Sequence, residues 1–228
     1  MALILRDAGL LFIMAPHTGC TSIGKALRRK LDAKWLPSKA VLDGDGKIVV
    51  RRKHSTLAEL LESGVLPEAE RAELLAAAGV RNPFDEQVSL YLQRHRSRRP
   101  RLREDRRQQI RGIPSKPPKL DDVKFEKWLQ RRFVGRPWSR FTGRTPKRPE
   151  DWTEGVDLVL RFENIRDDFA EMLARAGIEQ EVKLPHRNKT KPRENRPYQE
   201  FYTPTGRAII EDVFAARLER HGYSFDGP

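Results

Sequence analysis

The stretch LLFIMAPHTGCTSIGKALRRKL, residues 10–31, most narrowly limits what this chain can fold into. Its apolar run Leu10–Ala15 passes directly into a turn with proline and glycine, which predicts a buried parallel strand that ends in a loop. Thr21 or Ser22 is then expected to cap a helix that continues to about Leu31. Such a unit directs the loop amides and the positive end of the helix dipole toward a bound anion.

The same stretch nearly matches the phosphate loop of nucleotide-binding enzymes. Gly19, Gly24 and Lys25 fit that pattern, but Ala26 stands where the pattern requires a serine or threonine to ligate magnesium. A magnesium-dependent enzyme that hydrolyses or transfers phosphate would therefore lack a ligand. The loop is expected to bind its anion in another way.

Two further apolar segments, Leu74–Val80 and VDLVLRF at 156–162, predict additional core strands. A hairpin-like turn at 43–46 is expected to lead into a strand at Lys47–Arg52. Strands that alternate with helices predict an α/β fold, with a P-loop-like parallel sheet flanked by helices in a three-layer sandwich. Helices are expected after Ser55 or Thr56, from Pro83, across DDVKFEKWLQRRF, across IRDDFAEMLARAG up to Gly177, and from Thr203 and Pro204 to Gly222.

The chain of 228 residues is long enough for one domain spanning 1–228. Nine arginines between Arg94 and Arg111, with few apolar residues before Lys119, predict a mobile insertion at 94–119. The net charge of +13 indicates an anionic partner. A single cysteine, Cys20, rules out an internal disulfide, and no apolar run is long enough to span a membrane, so we expect a soluble cytoplasmic protein.

A second anion site is predicted where Arg81 ends a strand and Ser89 follows on the next helix. The guanidinium fork of the arginine and the hydroxyl of the serine can converge on one phosphate. Together with the first loop, they give the chain two anion-binding elements in sequence order.

With these elements the chain resembles the sulfotransferases that use 3′-phosphoadenosine-5′-phosphosulfate (PAPS), chiefly their carbohydrate-directed branch. APHTGCTSIGKAL resembles the family's 5′-phosphosulfate loop, and RNPFDEQVSLY resembles its 3′-phosphate motif. The segments LRFENIRDDFAEML, LPHRNKT and the FYTP and GYSF pieces near the end are similar to the family as well. Only the arginine-rich insertion and the loop Gly135–Asp151 match nothing in it.

The resemblance implies PAPS as donor, 3′,5′-adenosine bisphosphate as product and no metal. It implies His54 as the base that takes the acceptor's proton, with Lys53 near the sulfuryl group. His17 stands where the family usually has a lysine that stabilises charge on the leaving oxygen, and an imidazolium supplies the same charge. Cys20 is expected to be a small loop residue and not a nucleophile. The donor-binding residues implied are His17, Thr18, Gly19, Cys20, Thr21, Ser22, Arg81, Ser89, Asn188 and Lys189.

The function predicted from the sequence is transfer of a sulfuryl group from PAPS to a hydroxyl or amine of a glycan, glycolipid or small molecule. A P-loop kinase or NTPase is the enzymatic alternative. A nucleic-acid-binding module that uses the arginine run is the other, and the sequence disfavours it because that run contains no aromatic residue for base stacking. The sequence leaves the acceptor and the oligomeric state open.

Overall fold

The computed structural model describes residues 2–50, 55–97, 122–134, 152–184 and 196–227. The chain divides into two compact units. Unit 1 comprises Met1–Arg81 and Glu150–Arg187, and unit 2 comprises Asn82–Pro149 and Asn188–Pro228. The expectation of one domain over the whole chain stays a prediction.

Unit 1 is built on a sheet whose described strands are β1 (Ala2–Leu5), β2 (Leu10–Ile13), β3 (Lys34–Leu36), β6 (Leu75–Val80) and β7 (Leu158–Arg161). Their order in the sheet is β3-β1-β2-β6-β7. The central strand β2 pairs in parallel with β6, and β6 pairs in parallel with β7. Strand β1 is antiparallel to both of its neighbours, so the sheet is mixed and its parallel half contains the three predicted core strands.

Strand β1 was not predicted, although its four residues, Ala2–Leu5, are all apolar. Its four residues are buried, and the short 3₁₀ turn Arg6–Ala8 joins it to β2. Gly9 closes that turn with φ of 55°, a left-handed conformation that glycine adopts at little cost. Ala2–Leu5 therefore forms a tight antiparallel hairpin with β2.

Alternate strand residues enter two separate cores, which explains the uninterrupted apolar runs. In β2, Leu10 and Phe12 pack on one face of the sheet, and Leu11 and Ile13 pack on the other. The first face is covered by α1 (Cys20–Lys30) and α6 (Ile165–Arg175), and the second by α2 (Leu57–Glu62). Unit 1 therefore has the α/β three-layer arrangement that the sequence predicts.

A smaller hairpin of β4 (Val41–Leu42) and β5 (Ile48–Val50) confirms the predicted turn at 43–46. The predicted strand at Lys47–Arg52 is thus observed at Ile48–Val50, and Arg51 and Arg52 lie outside the described residues. Thr56 caps α2 through a reciprocal capping box with Glu59. A short helix α3 (Glu68–Ala72) then leads into β6.

Helices make up the described part of unit 2. They are α4 (Pro83–Ser97), α5 (Asp122–Leu129), α7 (Pro204–Val213) and α8 (Ala215–His221), with a π-helical turn at Gln130–Val134 and a 3₁₀ turn at Tyr198–Phe201. Their core is strongly aromatic, with Phe84, Tyr91, Phe125 and Phe201 buried together.

The prediction of a single C-terminal helix from Thr203 to Gly222 was wrong in one respect. Thr203 does cap the helix and Gly222 does end it, but Phe214 separates α7 from α8. Phe214 is 4% exposed, so the chain bends where this ring enters the core. Among the described residues, no helix is both long enough and apolar enough to cross a membrane.

Candidate functional site

Three segments of unit 1 follow the carboxyl ends of neighbouring parallel strands. Strands β2, β6 and β7 are neighbours and parallel, with Ile13 opposite Ala78 and Val80 opposite Arg161. Their carboxyl ends therefore lie side by side, which is where open α/β sheets bind ligands. The loop Met14–Gly19, residue Arg81 and the 3₁₀ turn Phe162–Asn164 follow these three strands.

The loop Met14–Gly19 is held against β6 through Thr18. The Thr18 hydroxyl donates a hydrogen bond to the carbonyl oxygen of Ala15 at 2.9 Å, and the side chain is 4% exposed. A Cβ atom at Gly79 would lie 2.6 Å from Thr18 Oγ1, so glycine is needed on the strand for the loop to pack. The hydroxyl of Thr18 thus supports the loop. If Thr18 binds the donor as predicted, it would do so through its backbone.

Helix α1 begins two or three residues earlier than expected, at Cys20, with Gly19 as its N-cap. Thr21 and Ser22 are therefore inside the helix, and the prediction that one of them caps it was wrong. The amide of Ser22 donates to the Gly19 carbonyl at 2.9 Å, while the side chain of Thr21 is exposed. The first amides of the helix remain at its positive end, where an anion binds favourably.

Two structural demands fix glycine at position 19. Its φ is 78°, in the left-handed region, and a Cβ atom there would lie 2.5 Å from Ile165 Cδ1 and 3.1 Å from Phe162 Cδ2. The loop can therefore approach the start of α6 only without a side chain. Close approach of the loop backbone to a bound anion is a further reason for glycine at position 19, and this reason stays a prediction.

His17 occupies the strained point of the loop. Its φ is 65°, which few residues other than glycine adopt, and its side chain is half-buried. Its carbonyl oxygen accepts a hydrogen bond from Arg81 Nη1 at 3.2 Å. Arg81 thereby ties the end of β6 to the loop after β2, and two of the residues predicted to bind the donor, His17 and Arg81, are in contact.

Arg81 also lies on an aromatic platform that the sequence analysis missed. Its guanidinium carbon is 4.0 Å from the centroid of the Phe162 ring, and the arginine is 7% exposed. Asp168 holds the turn that carries this ring, because its carboxylate accepts from the Arg161 amide at 2.6 Å and from Asn164 Nδ2 at 3.0 Å. The four-residue spacing of Asn164 and Asp168 on the same stretch was the available signal.

In the stretch that nearly matches a phosphate loop, the second glycine, Gly24, is needed for side-chain packing. Gly24 is within α1, where a Cβ atom would lie 2.9 Å from Met14 Cε. Lys25 and Ala26 follow it in the second turn of the helix. The resemblance to a magnesium-binding phosphate loop therefore does not extend to structure, since there the Gly-Lys pair stands where the helix begins.

Cys20 is buried at the start of α1. Burial raises the pKa of its thiol to about 11, although a hydrogen bond with Thr21 acts in the opposite direction. At neutral pH the side chain is a protonated thiol, which is a poor nucleophile. This agrees with the expectation that Cys20 is a small structural residue of the loop.

Ser89 lies on α4 in unit 2 and is 5% exposed. Its hydroxyl oxygen accepts from Gln93 Nε2 at 3.5 Å. The start of α4 is fixed by Asn82, whose Oδ1 accepts from the Phe84 amide at 3.0 Å. Since Arg81 belongs to unit 1 and Ser89 to unit 2, their joint action on one phosphate stays a prediction.

Several predicted site residues lie outside the described residues. They are the proposed base His54 with its neighbour Lys53, the donor-binding pair Asn188 and Lys189, and the arginine run beyond Ser97. Their roles stay predictions from the sequence.

Comparison with known proteins supplies one match. The model of the sulfotransferase family matches residues 1–223, which is nearly the whole chain and includes every predicted site residue. Neither the curated proteins nor the solved structures contain a match. On the strength of a family match that extends through both units, the chain belongs to the sulfotransferase family.

Proposed function

We propose that this chain transfers a sulfuryl group from PAPS to a hydroxyl or amine of a glycan, glycolipid or small molecule. Membership of the family makes the protein a sulfuryl-transferring enzyme. The identity of the donor and the class of acceptor are the proposed part. The observation that supports the proposal is the hydrogen bond from Arg81 to the carbonyl oxygen of His17, which joins two segments predicted from the sequence to bind anions.

The 5′-phosphosulfate would bind to the loop Met14–Gly19 and the first turn of α1. The amides at the start of this helix and the Thr21 hydroxyl are donors suited to an oxyanion, and the helix dipole favours negative charge there. His17 would stand beside the oxygen that joins sulfur to phosphorus. As an imidazolium it would stabilise the negative charge that this oxygen gains as the bond to sulfur breaks.

The proposed reaction is an in-line displacement at sulfur. The acceptor oxygen or nitrogen forms a bond to sulfur, and the bond from sulfur to the phosphate oxygen breaks. The products are the sulfated acceptor and 3′,5′-adenosine bisphosphate, and His54 takes the proton that the acceptor loses. Neither a covalent enzyme intermediate nor a thiolate is required.

Arg81 would read the 3′-phosphate, with Ser89 supplying a hydroxyl from α4. The Phe162 ring and the His17 carbonyl hold the guanidinium of Arg81 in a fixed plane, which lowers the entropy cost of binding. Asn188 and Lys189 are proposed to add contacts to the nucleotide. A kinase is disfavoured because Gly24 and Lys25 are inside α1 and Ala26 offers no hydroxyl.

Calorimetric titration with three nucleotides tests the proposal. The protein should bind 3′,5′-adenosine bisphosphate more tightly than 5′-AMP, and should show no magnesium-dependent binding of ATP. A thermal shift provides a second readout, because a ligand at 100 times its Kd stabilises the folded state by roughly 2.7 kcal/mol. Preference for ATP with magnesium over the bisphosphate would overturn the proposal.

A further inference from the structure

One aromatic ring of unit 1 lies against both segments that are proposed to bind the donor. The guanidinium carbon of Arg81 lies over the Phe162 ring, 4.0 Å from its centroid. The same ring is so close to Gly19 that a Cβ atom there would lie 3.1 Å from Phe162 Cδ2 and 3.3 Å from Phe162 Cε2. The position of this ring therefore affects both the residue that follows β6 and the N-cap of α1.

Hydrophobic packing alone does not fix the Phe162 ring. Within the described part of the chain, neither hydrophobic core of unit 1 includes Phe162, although Ile165 three residues later packs against one of them. The ring is half-buried. A ring outside a core is not surrounded by close-packed neighbours, so its orientation depends on the backbone turn Phe162–Asn164 that carries it.

Asp168 on α6 anchors this turn at both ends with one carboxylate. Its Oδ2 accepts a hydrogen bond from the Arg161 amide at 2.6 Å, and its Oδ1 accepts one from Asn164 Nδ2 at 3.0 Å. Arg161 directly precedes the turn and Asn164 is its last residue. Hydrogen bonds to an ionised carboxylate are stronger than those between neutral groups, so loss of the charge or of one oxygen would loosen the turn.

The orientation of Arg81 depends on the ring that this turn presents. A guanidinium is flat, so the Phe162 ring face and the His17 carbonyl together define the plane of its N–H donors. The arginine is 7% exposed, so water screens its attraction to the ring only weakly. An arginine that is ordered beforehand binds an anion without first losing the freedom of its side chain.

We propose that Asp168 is a positioning residue of the donor site. By anchoring the turn Phe162–Asn164, its carboxylate holds the ring that orients Arg81, and thereby sharpens the preference for a nucleotide with a 3′-phosphate. The assignment of the 3′-phosphate to Arg81 rests on the proposed function. The anchoring of the ring does not rest on it and can be measured without a ligand.

Nuclear magnetic resonance of the ligand-free protein tests the anchoring. The Arg81 side chain lies over an aromatic ring, so the ring current should shift its Nε–H proton upfield, and Arg81→Lys assigns this resonance. Phe162→Leu should abolish the upfield shift, Phe162→Tyr should retain it, and Asp168→Asn should reduce it. Asp167→Asn removes the same charge from the exposed neighbouring position and should leave the resonance in place. An unchanged Arg81 resonance in folded Asp168→Asn would overturn the proposal.

Titration calorimetry connects the anchoring with the donor. The quantity to compare is the ratio of the Kd for 5′-AMP to the Kd for 3′,5′-adenosine bisphosphate. Asp168→Asn should lower this ratio roughly threefold to tenfold, the size expected when the ligand instead of the protein must order a long side chain. Asp167→Asn should change it less than about twofold, the scale of a surface charge. With Arg81→Ala already present, Asp168→Asn should cause no further loss, because both changes act through one guanidinium.

A merely structural role of Asp168 predicts different results. Equal losses of affinity for the two nucleotides would overturn the proposal, and so would a loss that adds fully to that of Arg81→Ala. Failure of the proposed donor gives a separate signature. If the wild type shows no preference for the bisphosphate over 5′-AMP, the donor assignment is contradicted, while the Arg81 resonance still decides whether Asp168 orients this arginine.

Discussion

Arg81 Nη1 donates a hydrogen bond to the carbonyl oxygen of His17 at 3.2 Å, across 64 residues of sequence. The contact joins the residue after β6 to the most strained residue of the loop after β2. A change at Arg81 is therefore expected to affect both the 3′-phosphate and the loop that receives the phosphosulfate. These two effects can be separated with ligands that carry one anionic group or both.

Arg81→Ala should weaken binding of 3′,5′-adenosine bisphosphate by about 1.5 to 3 kcal/mol, the usual size for a hydrogen bond to a charged group. Its effect on 5′-AMP should be smaller, because 5′-AMP has no 3′-phosphate. Calorimetry on both nucleotides measures the difference. An equal loss for the two would show that Arg81 acts only through the loop, and Arg81→Lys, which keeps the charge without the fork, provides the matched control.

The two histidines are expected to act at different stages. His54→Ala should lower turnover by roughly 10²- to 10⁴-fold, the range for a general base, while affinity for the bisphosphate stays nearly constant. His17→Lys should maintain or raise turnover, because it restores the charge usual in the family at the leaving oxygen. Steady-state kinetics with the donor varied distinguishes them. Unchanged turnover in His54→Ala would remove this residue as the base.

The fold was predictable where local pattern and tertiary environment agree. The strand Leu75–Val80 and the capped helix after Thr56 follow from apolar runs and capping residues that sequence shows directly. The break at Phe214 does not, because no proline or glycine stands there and only the burial of the ring in the helical core bends the chain. Gly19 was missed as the N-cap of α1 for another reason: Thr21 and Ser22 offer side-chain oxygens that can cap a helix, whereas Gly19 caps without a side-chain hydrogen bond.

The candidate site likewise contains some residues that the sequence predicts and others that only the structure reveals. Arg81 and the loop up to Gly19 were predicted to bind anions from their residue types and order, and the structure brings Arg81 into contact with this loop, while anion binding stays a prediction. Phe162 was not found, because an aromatic residue after a strand usually belongs to a core, and only the structure places its ring 4.0 Å from Arg81. Asp168 was missed since its carboxylate acts on the backbone of Arg161, a contact that residue type does not reveal.

Stability at acidic pH should depend on Asp157 at the start of β7. Burial alone raises the pKa of its carboxyl, but hydrogen bonds from Arg71 and from the Ala76 amide, with the positive charge of Arg71, outweigh this and hold the pKa below its ordinary value. The ionised carboxylate is thus favoured in the folded state. Its stabilising contribution is present at neutral pH and is lost as the pH falls through the lowered pKa.

Urea unfolding from pH 7 to pH 3 measures this contribution. The free energy of unfolding of the wild type should exceed that of Asp157→Asn at neutral pH, and the difference should shrink toward pH 3. Glu171→Gln is a matched control, because Glu171 pairs with Arg175 at the surface and should contribute little at any pH. A difference between wild type and Asp157→Asn that stays constant with pH would contradict the assignment.

Gly79 on β6 should be sensitive to substitution, because it gives Thr18 room beneath the loop. In Gly79→Ala the new Cβ would lie 2.6 Å from Thr18 Oγ1 and 3.0 Å from Thr18 Cβ, so the loop must shift. We expect the free energy of unfolding to fall by about 1 to 3 kcal/mol, the typical cost of overpacking, and bisphosphate affinity to fall with it.

Gly44→Ala is the control for this change, since a Cβ atom there has no neighbour within 4 Å, and its effect should stay within about 0.5 kcal/mol. Thr18→Ala combined with Gly79→Ala should recover part of the loss, because the hydroxyl oxygen that collides is removed while the Cβ contact persists. Urea unfolding of the single and double variants gives the coupling energy directly. Strict additivity of the two changes would mean that Gly79→Ala acts through something other than the collision with Thr18, and that the loop does not depend on this contact.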